Sequence, residues 1–146
     1  MRDCAWIKEK AIAHRGLHDK ENEVPENSLK AFQKAVDEGY AIECDVNLLK
    51  DGTVVVFHDD DLLRLCGEDI RLETLTYEEI KRYNLLETNE KIPTLQEVLT
   101  LVDRKVELLI KLKPNGDIYK LAANTYRHFK NYKGIYAIQS FHRYIV

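Results

Sequence analysis

At 146 residues the chain has the size of one domain, with room for a substantial core, and its 45% apolar and 32% charged composition is that of a soluble globular protein. A net charge of −3 gives no electrostatic case for binding nucleic acid or an anionic membrane surface. The charged stretch Met1–Ala13 does not read as a signal peptide, no apolar run reaches membrane-spanning length, and Cys4, Cys44 and Cys66 have neither metal-type spacing nor a disulfide framework, so a reducing, cytoplasmic setting is expected.

Met1–Lys10 reads as a surface lead-in, with Trp6 and Ile7 covering one end of the core. Ala11-Ile12-Ala13 predicts a first strand that delivers His14 and Arg15 at its C-terminal end, and Gly16 permits a sharp exit. Leu17–Val24 is polar and loop-like. Leu29, Ala31, Phe32, Ala35 and Val36 then recur at helical spacing. Asn27 is the expected N-cap, with Glu26 or Ser28 joining the first turn, and Gly39 is the expected C′ glycine.

The stretch Tyr40–Asp61 is the most informative. Two apolar runs, Tyr40–Leu49 and Thr53–Phe57, are separated by Lys50-Asp51-Gly52, a strong turn signal. Glu43 and Asp45 alternate onto one face of the first run, about 7 Å apart along it. The second run ends at His58. Burying carboxylates without a partner is strongly unfavourable, so a cation is expected beside them. The link is too short for a crossover helix. Either the runs form an antiparallel hairpin, or an extended return lays the second parallel to the first.

Leu62–Ile70 is irregular. Thr76 caps a helix expected to run to about Tyr83. Asn84–Lys91 is a polar loop. Pro93-Thr94 opens a helix with Leu95, Val98, Leu99 and Val102 on one face. Val106–Leu112 is an apolar run ended by Lys113-Pro114-Asn115-Gly116, and Asp117–Phe129 is helical with Ile118, Leu121, Ala122, Tyr126 and Phe129 on its inner face. Gly134–Phe141 reads as a last strand, and His142–Val146 is too short to be an element. Tyr77, Tyr83, Tyr119, Tyr126, Tyr132 and Tyr136 are read chiefly as packing groups. The order β, α, β, β, α, β, α, β predicts a single α/β domain over 1–146 with a largely parallel sheet. In such sheets, polar residues just past apolar runs mark a site at the strand carboxyl ends.

His14-Arg15-Gly16, Pro25-Glu26-Asn27-Ser28, Glu43-x-Asp45, Lys50-Asp51-Gly52 and Val55-Val56-Phe57-His58-Asp59, in that order, resemble the glycerophosphodiester phosphodiesterase family. Thr76 with Glu78-Glu79, Ile92-Pro93-Thr94-Leu95 with Glu97-Val98-Leu99, and Ser140-Phe141 are similar to its later parts. The resemblance covers Ile12 to about Phe141 and implies a TIM-barrel-like (β/α)8 fold, here truncated to about five strands. It implies a divalent cation, Mg²⁺ or Ca²⁺, and hydrolysis of small-molecule glycerophosphodiesters to glycerol 3-phosphate and an alcohol. By position, His14 and His58 correspond to a general acid/base pair. Arg15 and Lys113 correspond to phosphate contacts, Asn27 to a residue lining the phosphate site, and Glu43 and Asp45 to metal ligands.

Two features depart from the family. Its third carboxylate ligand falls at Lys111, whose charged form cannot bind a metal and competes with a cation for Glu43 and Asp45. Glu107 has the same strand parity but lies about 13 Å away. A closed barrel also takes about 250 residues. The chain is therefore either a fragment or shortened form, or it completes its sheet by pairing with another copy or another chain. Three functions follow: an active metal-dependent phosphodiesterase, which the motifs favour; a metal-free phosphoester-binding relative in which Lys111 pairs the carboxylates; and an assembly module.

Overall fold

The apolar run after Gly39 folds as a strand buried on both faces, as the central strand of a mostly parallel sheet must be. The computed structural model describes residues 4–113 and 115–140. In chain order the elements are α1 (Trp6–Glu9), β1 (Ile12–His14), α2 (Leu29–Glu38), β2 (Ala41–Leu48), β3 (Val54–Val56), α3 (Leu63–Cys66), α4 (Tyr77–Ile80), α5 (Leu95–Val102), β4 (Leu108–Leu112), α6 (Ile118–Phe129) and β5 (Tyr136–Ser140). Short 3₁₀ turns occupy Lys20–Asn22 and Leu72–Thr74. Phe141, the expected end of the last strand, and the tail 142–146 lie outside the described residues.

Four strands pair in parallel in the order β1-β2-β4-β5. The short link after β2 resolves as an antiparallel hairpin, with Val46 opposite Val56 and Leu48 opposite Val54. Val46 also pairs with Leu112 of β4, so β3 occupies the same edge of β2 as β1, beyond β1's end.

Strand parity divides the sheet into two faces. Ala13, Ile42, Cys44, Val46, Leu108, Ile110 and Leu112 face the helices and pack with Phe32 and Ala35 of α2, Leu95, Val98 and Val102 of α5, and Leu121 and Phe129 of α6. The opposite face carries His14, Glu43, Asp45 and Lys111, with His14 in register with Glu43 and Asp45 in register with Lys111. This is the layering expected of an arc of a (β/α)8 barrel, with helices outside and the polar face inside. A second cluster, centred on Phe57, Leu62, Leu65, Leu72 and Ile80, fills the space under the long connection between β3 and α5. Among the described residues no helix is long and apolar enough to cross a membrane.

Three local expectations change. Ser28, not Asn27, caps α2: its backbone is extended and its side chain accepts from the Ala31 amide, whereas Asn27 sits at φ 52°, where a cap cannot form. The helix from Thr76 keeps its expected capping box with Glu79 but ends at Ile80, because Arg82 and Tyr83 donate back only three residues, in 3₁₀ fashion. On α6, Thr125 is fully buried and Tyr126 is 42% exposed. The inward row is 121–125–129, which turns the bulky phenol out. Phe129 at the end of that row stacks on Tyr136, with ring centroids 4.2 Å apart.

Gly16 is a severe constraint. Its φ is +79°, and a Cβ there would lie 2.8 Å from the Ala31 Cβ and 3.0 Å from its carbonyl carbon. Gly16→Ala should destabilise the fold by about 2–4 kcal/mol, from backbone strain plus overpacking. Urea unfolding measures this, and a loss below about 0.5 kcal/mol would mean that the loop relaxes freely.

Candidate functional site

The backbone carries the site residues to one end of the sheet. The Arg15 amide donates to the Glu43 carbonyl at 2.8 Å and the Asn27 amide to the Arg15 carbonyl at 2.9 Å, so the loop after β1 and the start of α2 are tied to the middle of β2. The hairpin returns the chain so that the Phe57 amide donates to the Asp45 carbonyl at 2.9 Å, which brings His58 to the carboxylate level. The Lys113 amide donates to the Val46 carbonyl at 3.1 Å and sets the end of β4 beside them. Arg15 adopts φ 57°, a conformation that a non-glycine residue holds only under tertiary constraint.

Every residue expected at the site touches another. His14 Nε2 lies 3.5 Å from Glu43 Oε2, and Arg15 Nε lies 3.5 Å from Asp45 Oδ2. Asn27 Nδ2 donates to Asp45 Oδ2 at 3.2 Å, and Lys113 Nζ lies 3.5 Å from His58 Nε2. A chain of ion pairs joins the Arg15 group to the His58 pair: Arg15 donates to Glu26, Arg64 donates to both Glu26 and Asp59, and Asp59 Oδ1 lies 2.7 Å from His58 Nδ1.

The electrostatics follow from burial and neighbours. Burial, then the Asp45 charge, raises the Glu43 carboxyl above its ordinary value, although His14, Lys111 and Arg15 pull it back. Burial also acts upward on Glu26 and Asp59. There hydrogen bonds from Arg64 outweigh it, with Arg15 helping at Glu26 and His58 at Asp59, and both stay below the usual carboxylate range.

Three buried polar atoms here have no hydrogen-bond partner among the described residues: Arg15 Nε, Asn27 Oδ1 and Glu43 Oε1. Arg15 Nε faces the Asp45 carboxylate at 3.5 Å, and the two hard oxygens suit a cation. Glu43 and Asp45 therefore fit a hard divalent ion as two of its ligands. A third protein ligand is not in place: among the described residues, no group of three or more His, Cys, Asp and Glu side chains could hold a metal. Lys111, in register with Asp45, adds positive charge that Glu43 already feels. Glu107 is instead ion-paired with Lys10.

Several polar residues at the site escape a motif reading. Asn47 continues the inward row of Glu43 and Asp45, donates to the Phe57 carbonyl at 2.6 Å and accepts from Asn115 at 3.2 Å. Its parity with the two acids was an available signal. Arg64 had none, because its partners Glu26 and Asp59 lie in other loops. A cavity of about 720 Å³ is lined by Arg64 together with Pro25, Leu63, Cys66, Arg82 and Tyr83 among others. None of the expected site residues borders it.

The model of the glycerophosphoryl diester phosphodiesterase family matches residues 14–134. A glycerophosphodiester phosphodiesterase of Bacillus altitudinis is 36% identical over 118 residues, which is 76% of this chain and 47% of that protein. One of Caldanaerobacter subterraneus subsp. tengcongensis is 38% identical over 119 residues, 77% of this chain and 47% of that protein. The chain thus spans about half the length of the curated relatives it matches. Among solved structures, an Oleispira antarctica phosphodiesterase in complex with the product sn-glycerol-3-phosphate superposes with a TM-score of 0.81 at 28% identity, covering 92% of this chain and 58% of that one. The Thermotoga maritima glycerophosphodiester phosphodiesterase gives 0.74 at 36% identity, covering 90% and 53%. The α/β arc is therefore part of a TIM-barrel-like fold. With a family model spanning β1 to the approach of β5 and the strand-end residues gathered at one place, the chain belongs to the glycerophosphoryl diester phosphodiesterase family.

Proposed function

We propose that this chain, as one incomplete domain, carries the phosphoester site of an enzyme that hydrolyses glycerophosphodiesters to glycerol 3-phosphate and an alcohol. The observation that carries the reading is the meeting of His14, His58, Arg15, Lys113, Glu43, Asp45 and Asn27 at one sheet end. The product complex of the Oleispira relative supports the substrate class. Arg15 and Lys113 receive the phosphate oxygens. Asp59 accepts from His58 Nδ1, which leaves Nε2 to take a proton, while His14 beside Glu43 is placed to give one. Glu43 and Asp45 would hold Mg²⁺ or Ca²⁺, which supplies charge stabilisation at the phosphate when bound.

One observation favours a second reading. Lys111 in register with Asp45 supplies a built-in cation, which would make the site a metal-free phosphoester-binding module. Among the described residues β1 and β5 are the edge strands of the parallel sheet, which supports pairing with a second copy as a further proposal.

The test is calorimetry with glycerol 3-phosphate, alongside an assay for its release from a glycerophosphodiester with and without Mg²⁺ or Ca²⁺. Binding with metal-stimulated release is expected, and binding without release selects the module. Absence of both sinks the phosphoester reading.

A further inference from the structure

We propose that Arg64 is a positioning residue that locks the phosphate-contact loop to the histidine loop. The inference rests on the phosphoester reading above. Arg64 Nη1 donates to Glu26 Oε1 at 2.6 Å and Nη2 to Glu26 Oε2 at 3.1 Å. On its other edge Nε donates to Asp59 Oδ2 at 2.9 Å and Nη2 to Asp59 Oδ1 at 3.0 Å. Both edges of the guanidinium are thus engaged two bonds at a time. Each carboxylate passes the constraint on: Glu26 Oε2 also accepts from Arg15 Nη1 at 2.9 Å, and Asp59 Oδ1 from His58 Nδ1 at 2.7 Å.

Charges alternate along Arg15, Glu26, Arg64 and Asp59 to the imidazole of His58. Glu26 is buried and Asp59 mostly so, whereas Arg64 is half exposed and its hydrogen bonds go to these two carboxylates. Its place outside the reacting centre makes it a positioning group. Without it, Glu26 and Asp59 lose their common counter-charge, and the tie between the two loops opens. Asp59 is then free to leave His58 Nδ1, and with it goes the constraint that presents Nε2 towards Lys113, 3.5 Å away. Lysine cannot replace the fork, because an ammonium is a point charge that does not offer paired, coplanar donors to two carboxylates.

The test uses the full chain with ¹⁵N-labelled histidine and Arg64→Gln and Arg64→Lys variants. In the unsubstituted protein, the His58 ring should give the signature of a single neutral tautomer protonated at Nδ1. Both variants should keep the urea midpoint of a folded chain yet show mixed tautomers. Glycerol 3-phosphate release should fall about 10–100-fold in each. An unchanged His58 signature in Arg64→Gln, or full recovery in Arg64→Lys, would overturn the proposal. Failure of the unsubstituted chain to bind glycerol 3-phosphate would sink the functional reading instead, while the ring signature still decides the clamp.

Discussion

Replacing Lys111 by glutamate should raise the affinity for Mg²⁺ or Ca²⁺ roughly ten- to a hundredfold. Lys111 and Asp45 are registered neighbours on parallel strands, so their side chains leave the same face about 5 Å apart at the backbone. A unit charge at that range in an effective dielectric of about 20 acts with about 3 kcal/mol on another. Substitution reverses the sign of that term and adds a third carboxylate beside Glu43 and Asp45. Lys111→Gln, which only removes the charge, should give an intermediate gain. Titration calorimetry on both variants separates the two contributions. No gain in either folded variant would mean that the ammonium lies out of reach of the carboxylates, and the metal-free reading would lose its support.

The second large effect is at the histidines. His58→Ala and His14→Ala should each slow glycerol 3-phosphate release by about 10²–10⁴-fold, the range for one positioned proton-transfer group. The double variant should be little slower than the worse single one, because a pair that shares one proton cycle acts as a unit. Glycerol 3-phosphate binding, which the proposed function assigns to Arg15 and Lys113, should change far less than the rate. A tenfold loss or smaller at either position would remove that histidine from the pair.

What the chain revealed before its structure, and what it withheld, have separate physical causes. Periodicity located the main strands and helices because burial is periodic: β2, α5 and β4 fall within a residue or two of their expected runs. The strand-end residues were legible because they lie next to apolar runs. Residue type favours Asn27 as a cap, while its φ of 52°, fixed by tertiary bonds, instead turns its amide to Asp45. The direction of β3 was open because Lys50-Asp51-Gly52 suits a tight turn without dictating the pairing that follows. Arg64 was invisible for a different reason: its role exists only once loops distant in sequence meet.

The hairpin has a consequence for assembly order. Phe57 reaches Asp45 by closing a loop of about a dozen residues, whereas Asp45 meets Lys111 only across more than sixty. Short closures form early and long ones late. Closure of the hairpin is therefore expected to bring the backbone at His58 to the level of Asp45 before β4 docks on its edge. That half of the machinery is a local product of the chain, and the lysine side is the part that waits for the sheet.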